Sequence, residues 1–130
     1  MLITLPLDKE RNRRPDVIFV SFERWPRNAR RPDTNAWDIL PELCVEVVSP
    51  NDRAEEIETK VDEYLRAGVS LVWVIYPENA RVYVYESASS VARLSRADTL
   101  RGGTVLPGFE LPLAELFLDP PPAPAQQESQ

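Results

Sequence analysis

The amino-acid sequence predicts an α/β domain, a mixed β-sheet carrying at least one helix, and three observations lead there. Four runs rich in branched and aromatic residues read as strands: DVIFVSF from Asp16, ELCVEVV from Glu42, VSLVWVIY from Val69 and RVYVYE from Arg81. Between the second and third, Ile57, Val61, Tyr64 and Leu65 recur at helical spacing and form one apolar stripe. The resulting order, strand, strand, helix, strand, strand, requires a mixed sheet. At 130 residues, 43% apolar and 28% charged, the chain is long enough for one core and has the composition of a folded protein.

The first strand follows Pro15 and reads as mostly buried. RWPRNARRPDTNAWDILP, residues 24–41, is crowded with proline, arginine and asparagine and reads as a long exposed loop. In ELCVEVV, Leu43, Val45 and Val47 fall on one face and Cys44, Glu46 and Val48 on the other, so a strand apolar on both faces belongs in the sheet interior. SPND then starts a helix, with Ser49 or Asp52 as N-cap and Glu55 and Glu56 near the positive end of the helix dipole. The helix runs to about Ala67, and Gly68 ends it. PENA, residues 77–80, makes a hairpin turn, and VARLS adds an edge strand. TVLPGFELPLAELF gives a short strand, a turn at Pro107-Gly108 and a last helical turn. DPPPAPAQQESQ has nothing to bury, so the domain spans 1–118 and residues 119–130 form a disordered proline-rich tail.

Composition excludes several chemistries. The chain has no histidine, which removes Ser-His-Asp catalysis and His-ligated metals, and its one cysteine, Cys44, allows neither an intramolecular disulfide nor a cysteine zinc site. A reducing, cytoplasmic setting follows as the expectation, and no apolar run is long enough for a signal peptide or membrane span. The net charge of −6 is uneven, because residues 1–37 hold eight Lys/Arg against five Asp/Glu. Arg11–Arg14 and Arg24–Arg31, with Trp25 and Trp37, form either a phosphate- and base-gripping segment or a solvated arginine-rich loop.

Glu46 is the residue the strand pattern does not explain. A carboxylate taken out of water without a partner costs several kcal/mol, of the order of 3–5 when a buried pair is broken. If the helix folds back over the sheet, its rise of about 12 Å over eight residues returns Lys60 near the level of Glu46. Lys60 lies at the margin of the apolar stripe, and its long stem can carry an ammonium to the carboxylate. Asp16 joins them if the first strand pairs with the strand bearing Glu46. Two carboxylates and a lysine suit Mg²⁺-assisted attack on a phosphodiester, with Mn²⁺ as a substitute, Asp16 and Glu46 as metal ligands and Lys60 orienting or deprotonating water. The same three residues also fit a plain alternative, a turn aspartate and a buried Glu46–Lys60 ion pair without metal. Ser49 is a helix cap in the absence of a base, and Trp73, Tyr83, Tyr85 and Tyr64 are packing residues.

The strings RPDVIFVS, PELCVEVVSPNDRAEEIETKVDEYLRAGVSLVWVIYPENARVYVYE and TVLPGFELPLAELF closely resemble the Uma-two family of restriction endonucleases, a branch of the PD-(D/E)XK nuclease superfamily. The resemblance runs from about Arg14 to Phe117. It implies a restriction-endonuclease-like mixed β-sheet flanked by helices and Mg²⁺-dependent cleavage of DNA by an endonuclease. Asp16 matches the aspartate of the PD element and Glu46 the acidic residue of the next strand. Val48 stands where the superfamily lysine usually sits, and Lys60 matches the helix position to which the family has moved it. Only fourteen residues precede Pro15, so the N-terminal helical part is expected to be reduced or absent. Such a shortening would uncover apolar surface suited to a second copy or a partner subunit. The alternative function is a catalytically incomplete nuclease-fold remnant acting as a nucleic-acid- or protein-binding module.

Overall fold

The computed structural model describes residues 2–4, 12–13, 16–21, 36–37 and 40–118. Its centre is a five-stranded mixed sheet of order β3-β5-β6-β7-β8, built from β3 (Val17–Phe19), β5 (Leu43–Val47), β6 (Leu71–Tyr76), β7 (Arg81–Ser87) and β8 (Ser90–Leu94). β3 runs antiparallel to β5, β5 parallel to β6, and β6–β7–β8 form an antiparallel meander. The parallel β5–β6 pair is joined through α1 (Ala54–Ala67), because parallel neighbours need a crossover and here the helix supplies it. Short pieces add to this core: β1 (Leu2–Thr4), β2 (Asn12–Arg13) and β4 (Ala36–Trp37) form one small sheet, and β9 (Thr99–Gly102) with β10 (Leu106–Pro112) another, followed by α2 (Leu113–Leu116).

Strand alternation sorts β5 and β6 between two cores. On one face Cys44, Val72 and Val74 meet Ile57, Val61, Tyr64 and Val69. On the other, Leu43, Val45, Leu71, Trp73 and Val82 meet Leu100, Leu113 and Phe117. Complete burial of an aliphatic or aromatic side chain contributes roughly 1.5–3 kcal/mol, so each layer rests on many such residues. The second face is covered by the β9–β10 hairpin and the single turn of α2, so helices flank the sheet on both faces. Gly68 ends α1 as predicted: at φ 109° it is left-handed, and its N–H donates to the Leu65 carbonyl.

Several sequence expectations change. β3 lies at the edge of the five-stranded sheet among the described residues, and Val17 is 55% exposed, because only one side of β3 has a strand to pair with. Neither Ser49 nor Asp52 caps α1. The Asp52 carboxylate instead accepts the Ser49 N–H at 2.9 Å in a tight turn, and Arg53 becomes the cap, with the Glu56 carboxylate accepting its N–H. Pro107-Gly108 does not reverse the chain. It sits within β10 where the register shifts between Leu106 and Glu110, and the reversal falls at residues 103–105 because β9, missed in the sequence, needs a partner. Ala36 and Trp37, expected in a loop, pair with Leu2 and Ile3. The rest of that loop, most of the N-terminal segment and the proline-rich tail lie outside the described residues. The PENA turn and the β8 edge strand are as expected.

Candidate active site

The site is assembled at the end of β5, where β3 and α1 both reach it. Val17 stands opposite Val45, which puts Asp16 one step beyond, beside Glu46 and Val47. The Asp16 N–H donates to the Val45 carbonyl at 3.1 Å, and its Oδ2 accepts the Val47 N–H at 2.6 Å. Asp16 is exposed, and its Oδ1 has no partner among the described residues. The N–H and C=O of one strand residue point to the same side, so the Val47 carbonyl is directed toward Asp16 as well.

Glu46 lies one residue inward, flanked by Val74 of β6, and is 3% exposed on the face covered by α1. Lys60 and Tyr64 are one helical turn apart and share the α1 face turned to that carboxylate. Tyr64, fully buried, donates its hydroxyl to Glu46 Oε2 at 3.0 Å, while Lys60 brings Nζ to within 3.4 Å of Oε1. The Lys60 side chain is 33% exposed, so its ammonium stands between the carboxylate and water. Burial pushes the Glu46 pKa above its ordinary value; the Lys60 charge and the Tyr64 hydroxyl oppose that rise, and the Asp16 carboxylate adds to it. The structure thus brings all three predicted residues to one place. Beside Lys60, a cleft of about 430 Å³ is lined by Asp52, Glu55, Glu56, Ile57, Thr59 and Lys60.

Among the described residues, no three His, Cys, Asp or Glu side chains cluster as a cage that could hold a metal by themselves. Mg²⁺ does not need such a cage, since it is commonly held by one or two carboxylates and keeps several waters. Asp16 and Glu46 supply two hard oxygen donors, and a cation between them would relieve the repulsion that the Asp16 charge imposes on Glu46.

Tyr64 is the residue that sequence reasoning assigned to the core and the structure places against Glu46. The available signal was chemical: a tyrosine on the most buried stripe of a helix needs a partner for its hydroxyl, and Glu46 was the acid set among the valines of the facing strand. Ser49 is met by Asp52, whose carboxylate accepts its backbone N–H and its hydroxyl; those bonds hold the carboxylate below its ordinary range and make it a poor base for activating a serine. Burial, with a smaller contribution from Glu46, pushes the Cys44 thiol up to about 12, so it stays protonated and is no nucleophile. The arginine-rich segment Arg24–Arg31 lies outside the described residues. Among the described residues no helix is long and apolar enough to cross a membrane.

The model of the family described as "Uma2: Putative restriction endonuclease" matches residues 1–114. A solved structure, a putative nuclease belonging to DUF820 from Anabaena variabilis, superposes with a TM-score of 0.75 at 20% sequence identity. The match covers 89% of this chain and 64% of that one, so the chain spans somewhat less than two thirds of the relative's length. At that identity the likeness shows the fold alone, a mixed β-sheet with few helices. No curated protein matches the chain.

Proposed function

This chain belongs to the Uma2 restriction endonuclease family, and from that premise we propose that it is a Mg²⁺-dependent endodeoxyribonuclease domain with Asp16, Glu46 and Lys60 at its centre. The observation that carries the reading is the meeting of Glu46 and Lys60 from separate elements, beside Asp16, at the open end of a sheet. Asp16 and Glu46 would hold the ion, which supplies Lewis-acid polarisation of a phosphate oxygen and an acidified water. Lys60 favours the ionised form of Glu46, orients the attacking water through its ammonium, and offsets negative charge as it builds on phosphorus. The Asp16 hydrogen bond to Val47 N–H fixes the carboxylate at the strand end. The acids Asp52, Glu55 and Glu56 around the cleft would repel a DNA backbone, and a bound cation would offset part of that repulsion.

Titration calorimetry with Mg²⁺ and Mn²⁺ on the wild type and on Glu46→Gln, paired with cleavage of a mixed DNA panel, tests this. Loss of both ion binding and cleavage in Glu46→Gln is the expected outcome. A second reading has its own support, because both Glu46 oxygens already have protein partners. In it the domain is a non-catalytic binding module with a structural Glu46–Lys60 pair. Ion binding absent from the wild type selects it.

A further inference from the structure

The two oxygens of Glu46 are not equivalent. Oε2 is held at 3.0 Å by the hydroxyl of Tyr64, a side chain with no exposed surface, while Oε1 faces the Lys60 ammonium at a looser 3.4 Å, and the Lys60 side chain is itself one third exposed. An acceptor pinned from the protein interior is poorly placed to bind an ion as well. From this we infer that Tyr64 sets the cation choice of the site by restricting Glu46 to coordination through one oxygen, Oε1. The inference rests on the ion-binding reading above. Its physical basis is the difference between the two common hard cations. Mg²⁺ demands near-octahedral geometry with short bonds and takes carboxylates through one oxygen, whereas Ca²⁺ accepts six to eight ligands and favours a carboxylate that offers both. A hydrogen bond that occupies Oε2 therefore disfavours Ca²⁺ without touching the ion, the usual action of a group behind a metal ligand. Tyr64 is in this sense a positioning residue, acting through Glu46.

The substitution Tyr64→Phe removes the hydroxyl and keeps the ring that fills the core. Calorimetry with Mg²⁺ and with Ca²⁺ separately, on the full chain, gives the ratio of the two affinities. In Tyr64→Phe the preference for Mg²⁺ over Ca²⁺ is expected to fall about tenfold, the low end of what losing a hydrogen-bond partner behind a metal ligand costs in affinity. Both ions weakening by the same factor, or an unchanged ratio, overturns the inference, because loosened packing has no reason to favour one ion. Wild type that binds neither ion removes the ion-binding reading itself, and this inference with it, so the two failures are told apart. If Tyr64→Phe does not fold, the wild type still decides. In Ca²⁺-loaded wild type, with Glu46→Gln as the blank, a wide separation of the antisymmetric and symmetric carboxylate stretches marks coordination through one oxygen even by the ion that favours two. A narrow separation marks two and overturns the inference.

Discussion

Replacing Lys60 by methionine keeps the stem that packs along the sheet and removes only the charge that faces Glu46. At 3.4 Å and an effective dielectric near 20, the attraction between the two unit charges is about 5 kcal/mol. Two facts reduce what is lost. The Lys60 side chain is one third exposed, so water screens the pair, and Tyr64 still holds Glu46 Oε2 after the change. The carboxyl can also take up a proton rather than remain a buried unpaired charge. Together these bring the expected loss to about 2 kcal/mol at pH 8. The pH dependence follows from the direction of the Glu46 shift. Its folded pKa already lies above the ordinary 4.5, so its contribution to stability is fully present below that value and declines as pH rises through the folded pKa. Without Lys60, one of the influences lowering that pKa is gone and the folded value climbs further. The penalty of Lys60→Met is therefore small near pH 5, where Glu46 can be protonated, and grows toward pH 8. Urea unfolding of wild type and variant in EDTA at the two pH values measures it, and the other carboxylates cancel in the difference. An equal penalty at both pH values, or a larger one at pH 5, would refute the buried, lysine-supported carboxylate.

Asp16→Asn keeps an acceptor for the Val47 N–H and should leave the unfolding midpoint almost unchanged while weakening Mg²⁺ binding. Asp16→Ala should lose about 1 kcal/mol as well, by thermal denaturation and calorimetry. In metal-free protein, Glu46→Gln should be tolerated to within about 1 kcal/mol, since the amide oxygen still accepts from Tyr64 and a buried charge disappears; urea unfolding checks this. Gly102→Ala should be destabilising by about 3 kcal/mol in the same assay, because a Cβ there would stand inside contact distance of the Leu106 backbone oxygen and Cβ across the β9–β10 pair. The Cys44 thiol, buried and pushed up to about 12, should resist a thiol reagent at pH 8 and react only on adding denaturant; prompt labelling of the folded protein would contradict its placement.

Much of the fold could be read from local pattern because the pattern is itself local physics. Alternation along residues 43–48 assigned Cys44 and Glu46 to one face and Leu43 and Val45 to the other, and those faces meet separate cores. The stripe through Ile57, Val61 and Tyr64 gave α1, and Gly68 gave its end. Errors gathered where distant partners decide. β9 is a four-residue strand that exists because β10 pairs with it, and Pro107-Gly108 becomes a bulge because the hairpin needs its reversal elsewhere. Asp52 was free to cap α1 by sequence, but the tighter turn with Ser49 claimed its carboxylate.

Sequence by itself determined the family, through the likeness of whole strings, and the helix–strand order and the candidacy of Glu46 and Lys60, for spacing along a strand and a helix carries the direction of each side chain; Asp16 joined them through its match to the PD element. Tertiary structure alone decided which oxygens meet which donors. It put the Asp16 carboxylate on the Val47 N–H, and it turned Tyr64 from a packing residue into the donor that holds Glu46. Those contacts join residues 31 and 18 positions apart in the chain, and they exist only once β3 pairs with β5 and α1 folds over the sheet.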